Sequence, residues 1–124
     1  MVEDMNDFEL ISSYPRKQAI EDGVLVDISH TSEVHEAGFK IPVCVTDHLW
    51  GKIHQANTPW GDWHGRLWDV CVLATLAFKT SRAHGKDCHL VEFKVGFCED
   101  KRPVTLWLCF EEHEGFTIMF PEDY

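Results

Sequence analysis

The chain has 124 residues, 44% apolar and 12% aromatic, and carries 21 acids against 11 Lys and Arg for a net charge of −10. That apolar share can fill a core at a common domain length and argues against disorder over most of the chain. The charge repels phosphate backbones and anionic lipid while favouring basic protein surfaces, which sets aside direct nucleic-acid binding and membrane attachment.

Residues 1–11 are acidic and without period, and read as a loose tail ahead of a single α+β domain over 12–124. Glu3, Asp4, Asp7 and Glu9 crowd this tail, and no base precedes Arg16. Ser13 followed by Pro15 marks a helix start, and the helix over 15–21 stops at Asp22-Gly23. Residues 24–28 then predict a strand. Thr31 or Ser32 caps a second short helix, which Gly38 ends. Residues 39–45 are extended, and Pro42 points to a sheet edge or an irregular approach rather than a central strand. Thr46 caps a helix over 47–55 whose Leu49, Trp50 and Ile53 share one stripe.

Residues 56–63 form a loop with Asn, Pro and Gly, and Asp62 opens the main helix, which runs to about Ala83. Its segment 67–78 is apolar nearly all round, which predicts burial on most sides. Trp68 reads as a large core filler, beside Arg66 and Asp69 at a spacing that lets them pair. Lys79, Arg82 and Lys86 gather at the carbonyl end of this helix, where cations offset the dipole.

Three stretches follow, 89–97, 104–111 and 116–120, that alternate apolar and polar residues with a period of two. One face takes Val91, Phe93, Val95, Phe97, Val104, Leu106, Leu108, Phe110, Phe116, Ile118 and Phe120. The other takes Glu92, Lys94, Thr105, Trp107, Cys109, Thr117 and Met119. Polar turns at 99–103 and 113–115 join the stretches. The expected fold is α+β: one central buried helix packed on a C-terminal three-stranded antiparallel meander, with short N-terminal helices and one or two extra strands.

Five cysteines, with no paired spacing and no basic-then-apolar leader, point to free thiols in a reducing cytosol. Cys71 falls within the apolar helix, Cys44 and Cys98 at strand ends, and Cys109 near Glu111, whose charge disfavours a thiolate. His84, Cys88 and His89 lie close in sequence, as do Cys109 and His113. Residues four apart on a strand are about 13 Å apart, however, too far to share one zinc ion. No catalytic residue, cofactor or metal site is expected.

What remains is a set of groups suited to a protein partner. Trp107 and Met119 have little reason to sit on a solvated face, and Trp60 and Trp63 lie in the loop before the main helix. Tryptophan dominates binding hot spots, and methionine adapts to varied partners. Glu99, Asp100, Glu111, Glu112, Glu114, Glu122 and Asp123 supply charge nearby in sequence. These residues predict a non-enzymatic module that docks on a basic protein surface. The competing readings are a small Cys- or His-dependent enzyme, a metal-binding regulator, or a dimerisation domain.

The blocks Ser13-Tyr14 and Gln18 through Asp27, Glu36-Ala37-Gly38-Phe39 with Pro42-Val43, Arg66-Leu67-Trp68-Asp69, and Thr117-Ile118-Met119 with Pro121 carry a resemblance. Together they resemble a widespread family of small bacterial proteins of unknown function, often borne on plasmids, integrative elements and phages. Asp47 stands where that pattern has a base. The resemblance implies a mobile-element setting but no activity. It sharpens the predicted module to an inhibitor of a host defence nuclease, of the CRISPR or restriction kind, whose basic groove the acids would face.

Overall fold

A computed structural model describes residues 16–55, 63–86, 89–96 and 103–124. The fold is α+β, with five strands in one mixed sheet and one long helix packed on it. The tail over 1–11, the start of the first helix at Ser13–Pro15, the loop 56–62 and the turn 99–102 lie outside the described residues.

Short helices and strands alternate first. Helix α1 (Arg16–Glu21) exits through Gly23, whose φ of 79° suits a residue without Cβ. Strand β1 (Leu25–Asp27) leads to α2 (Ser32–Ala37). Thr31 is the cap of α2: its hydroxyl accepts the Val34 N–H, and Gly38 closes the helix in the left-handed conformation. Strand β2 (Val43–Thr46) runs directly into α3 (Asp47–His54), with the Thr46 hydroxyl accepting the Leu49 N–H. Leu49 and Ile53 are sealed in the core, and Trp50 packs beside them.

Helix α4 (Trp63–Ala83) spans 21 residues and is followed by β3 (Leu90–Val95), β4 (Val104–Glu111) and β5 (Gly115–Met119). A single turn of 3-10 helix covers Pro121–Asp123. Among the described residues no helix is long and apolar enough to cross a membrane.

The strand order is β1-β2-β5-β4-β3. β4 pairs antiparallel with β3 and with β5, while β5 pairs parallel with β2. The C-terminal hairpins are therefore one half of a wider sheet. Pro42 does not mark an edge strand. It precedes β2, which lies between β1 and β5 and is buried throughout. With no N–H to give, Pro42 contributes its carbonyl, which accepts the Phe116 N–H at 2.9 Å. Gly115, at φ 115°, lies against the Pro42 carbonyl so closely that a Cβ there would collide with it.

The inner face of the sheet takes Val91, Phe93, Val95, Leu106, Leu108, Ile118 and Phe116, which meet Leu67, Val70, Cys71 and Ala74 of α4. Those α4 residues recur at helical spacing and form one stripe rather than a buried cylinder. Burial on most sides, expected from composition, holds except along one side, where Trp68, Asp69 and Leu76 are exposed within 67–78. Trp68 is 43% exposed and Leu76 is 54% exposed, so Trp68 is no core filler. Arg66 is buried and its Nη1 donates to the Lys52 carbonyl at 3.2 Å. Asp69 is exposed at the residue level, and partial burial of its carboxyl alone pushes its pKa up, which a close Arg66 would have offset.

Candidate functional site

The outer face of the sheet holds the anchors that the sequence singles out. Cross-strand register places Glu92, Trp107 and Met119 in one row, and Leu90, Cys109, Thr117 and Cys44 in the next. Two caps cover the middle of this face. From α1, Arg16 Nη2 donates to the Phe116 carbonyl and to the Thr117 hydroxyl, each at 2.9 Å. From the chain beyond β5, Tyr124 sets its ring edge-on to Trp107, with centroids 5.5 Å apart.

Met119 is buried at 8% exposure and contacts Cys109 sulfur to sulfur at 3.9 Å. The exposed thioether expected there is absent: Met119 pairs with Trp107 across the strands and packs on the Cys109 sulfur. Trp107 is half-buried, and its indole N–H donates to Glu92 Oε1 at 3.2 Å. Its polar edge is engaged within the molecule.

The acids also divide. Glu111, Glu112 and Glu114 occupy the β4–β5 turn, whereas Glu122 and Asp123 lie past the opposite end of β5. They do not form one patch through this strand. Asp123 is an internal ligand: its carboxylate accepts the Thr46 hydroxyl at 2.9 Å and approaches His48 Nδ1 at 3.1 Å, tying the 3-10 turn to the start of α3. Glu112 and Glu122 are exposed. Protonated Glu111 donates to the Glu114 carboxylate, and this bond, then burial and the Glu114 charge, raises the Glu111 pKa, while Arg16 partly offsets the rise. Glu99, Asp100 and Trp60 lie outside the described residues.

Trp63 joins a cluster of rings rather than a free loop. It stacks on His64 with centroids 3.7 Å apart and meets His54 at 4.4 Å and Trp50 at 5.6 Å. His64 Nδ1 reaches Glu33 Oε1 at 2.7 Å. Burial pushes the Glu33 pKa up, but the His64 hydrogen bond and charge outweigh it and hold the carboxyl below its ordinary value. This pair joins α2 to α4 across a separation that leaves no signal in the sequence.

The described thiols have no environment that ionises them. Burial raises Cys44, takes Cys71 to about 12 and Cys109 to about 11, the last with help from the Glu111 charge. Among the described residues no three His, Cys, Asp or Glu side chains converge as a metal site. Nucleophilic chemistry at these thiols is disfavoured.

The surface that sequence reasoning missed lies on α4. Trp68, Val72 and Leu76 recur every fourth residue, so they form one ridge on the side away from the core stripe. Trp68 and Leu76 are exposed and Val72 is half-buried. The signal was present in the sequence: segment 67–78 holds more apolar residues than one buried stripe of a helix can use. Comparison of the chain with protein-family models, with curated proteins and with solved structures returned no match. The reading of function rests on this surface and on charge.

Proposed function

We propose that this protein is a non-enzymatic protein-binding module whose apolar anchor is the outward ridge of α4. The observation that carries the reading is Trp68, 43% exposed, in line with Leu76 at 54% on one rigid helix. A tryptophan left in water on a regular element gains by being covered, and such residues dominate the energy of interfaces. The net charge of −10 selects among partners by long-range attraction to basic surfaces. A nucleic-acid-binding protein of a host defence system, the partner class implied by the family resemblance, presents such a surface. The Glu111–Glu114 turn and Glu122 are the acids best placed to meet it, since they reach solvent at both ends of β5.

The test compares capture from a bacterial lysate by the wild-type chain and by a W68S/L76S variant, at low and high salt. Trp68 and Leu76 are 43% and 54% exposed, so the variant loses only part of their apolar cover, about 1–3 kcal/mol together, and should still unfold cooperatively. A partner retained by the wild type, lost by the variant and released by salt supports the reading. Capture that is indifferent to the variant and to salt rejects it. If size-exclusion chromatography shows a wild-type dimer that the variant abolishes, the ridge serves self-association instead.

A further inference from the structure

A second surface on α4 has a different chemistry. One turn beyond the ridge, Thr75, Phe78, Lys79 and Arg82 line a cavity of about 340 Å³, closed on the other side by residues 38–41 and by Phe110 and Phe116. Its walls are phenyl rings. Phe116 meets Phe39 at 5.4 Å, Phe78 at 5.0 Å and Phe110 at 5.3 Å between centroids. Phe116 is buried, but Phe39, Phe78 and Phe110 keep part of their surface in water. An apolar body entering this space would gain by covering them.

The rim is cationic. Lys40, Lys79 and Arg82, three of only 11 Lys and Arg in an acidic chain, all line this cavity. Two simpler explanations for them fail. Lys79 and Arg82 sit near the carbonyl end of α4 and suit its dipole, but Lys40 belongs to the segment between α2 and β2 and has no such reason to be there. The second, direct pairing with the acids of the Glu111–Glu114 turn, is not formed. Among the described residues none of the three cations has a side-chain ion pair or hydrogen bond, and the ion pairs formed by Glu33 and Asp123 use histidine. Three unpaired cations from two elements therefore surround a phenyl-lined space.

We infer that this cavity binds a small amphipathic anion, an apolar body ending in a carboxylate, with the body against Phe39, Phe78, Phe110 and Phe116 and the head among Lys40, Lys79 and Arg82. The volume lies near the lower end of the range for ligand pockets, ~300–1,000 Å³. It suits a medium-chain rather than a long-chain acid.

The probe is decanoate, followed by amide chemical shifts of the full chain and by calorimetry, with decanol and decylammonium as neutral and cationic controls. Decanoate should shift residues 38–41 and 75–82 and bind roughly tenfold or more tightly than decanol, with decylammonium weakest. K40Q, K79Q and R82Q alter exposed side chains, and together they should remove that preference for decanoate while leaving the decanol response in place. The W68S/L76S variant should bind decanoate as the wild type does, which separates this site from the protein-binding ridge. Absence of shifts in the two segments, equal binding of all three probes, or an unaltered decanoate preference in the triple variant would overturn the inference.

Discussion

The two faces of the sheet are sealed by different means. On the inner face, apolar side chains from β3, β4 and β5 meet one stripe of α4, and dispersion and water exclusion account for their burial. On the outer face Cys109, Thr117 and Met119 are buried too, and among the described residues Arg16 of α1 donates to Thr117 while Tyr124, beyond β5, meets Trp107. The inner seal is redundant because many side chains share it. The outer face, by contrast, leaves Glu92, Lys94 and Leu90 in water. A face closed by many interchangeable apolar groups is set by composition, whereas one closed by a directed hydrogen bond is set by individual residues.

Truncation on the inner face should do the most damage. Leu106 is fully buried, and L106A is expected to cost about 3 kcal/mol in denaturant unfolding, with the cavity adding to the lost transfer energy. The outer seal should fail more gently. R16A removes two hydrogen bonds at 2.9 Å but also the unpartnered, buried Nε and Nη1 of the same side chain, so a net loss of about 1 kcal/mol is expected. An R16A loss as large as that of L106A would erase the contrast between the faces.

The smallest effect is electrostatic. Glu111 has a folded-state pKa above its ordinary value, so its stabilising contribution is present below the unfolded pKa and is lost as pH rises through the folded one. The neighbouring Glu114 charge disfavours the ionised form of Glu111. E111Q should therefore raise Tm modestly at neutral pH, and the gain should shrink as pH falls into the carboxylate range. A gain independent of pH would show that charge is not its source.

Much of this fold was legible in local chemistry. Thr46 and Gly38 were readable as helix boundaries because capping is a matter of adjacent residues. The alternation in β3–β5 assigned the inner face because a strand has only two sides. What failed was non-local. Nothing near Thr117 announces that β2 pairs beside it in parallel, and that pairing turns β5 from a rim into the centre of the sheet. The same gap left two alternatives for Pro42, of which the irregular approach and not the sheet edge is observed. For the candidate sites, Trp68 was misread because composition cannot say which side of a crowded helix faces water. The phenyl cavity was missed because Phe39, Phe78 and Phe116 converge from three separate elements.

The parallel pairing of β2 with β5 also orders assembly in time. β2 sits ready-made beside β1, yet the strand that completes it is synthesised only after α3, α4, β3 and β4. Until then each half of the sheet exposes an open edge, and the Pro42 carbonyl waits for the Phe116 amide. Gly115 is where the halves join, and a Cβ there would meet the Pro42 carbonyl, so any bulkier residue would act as a wedge in that seam.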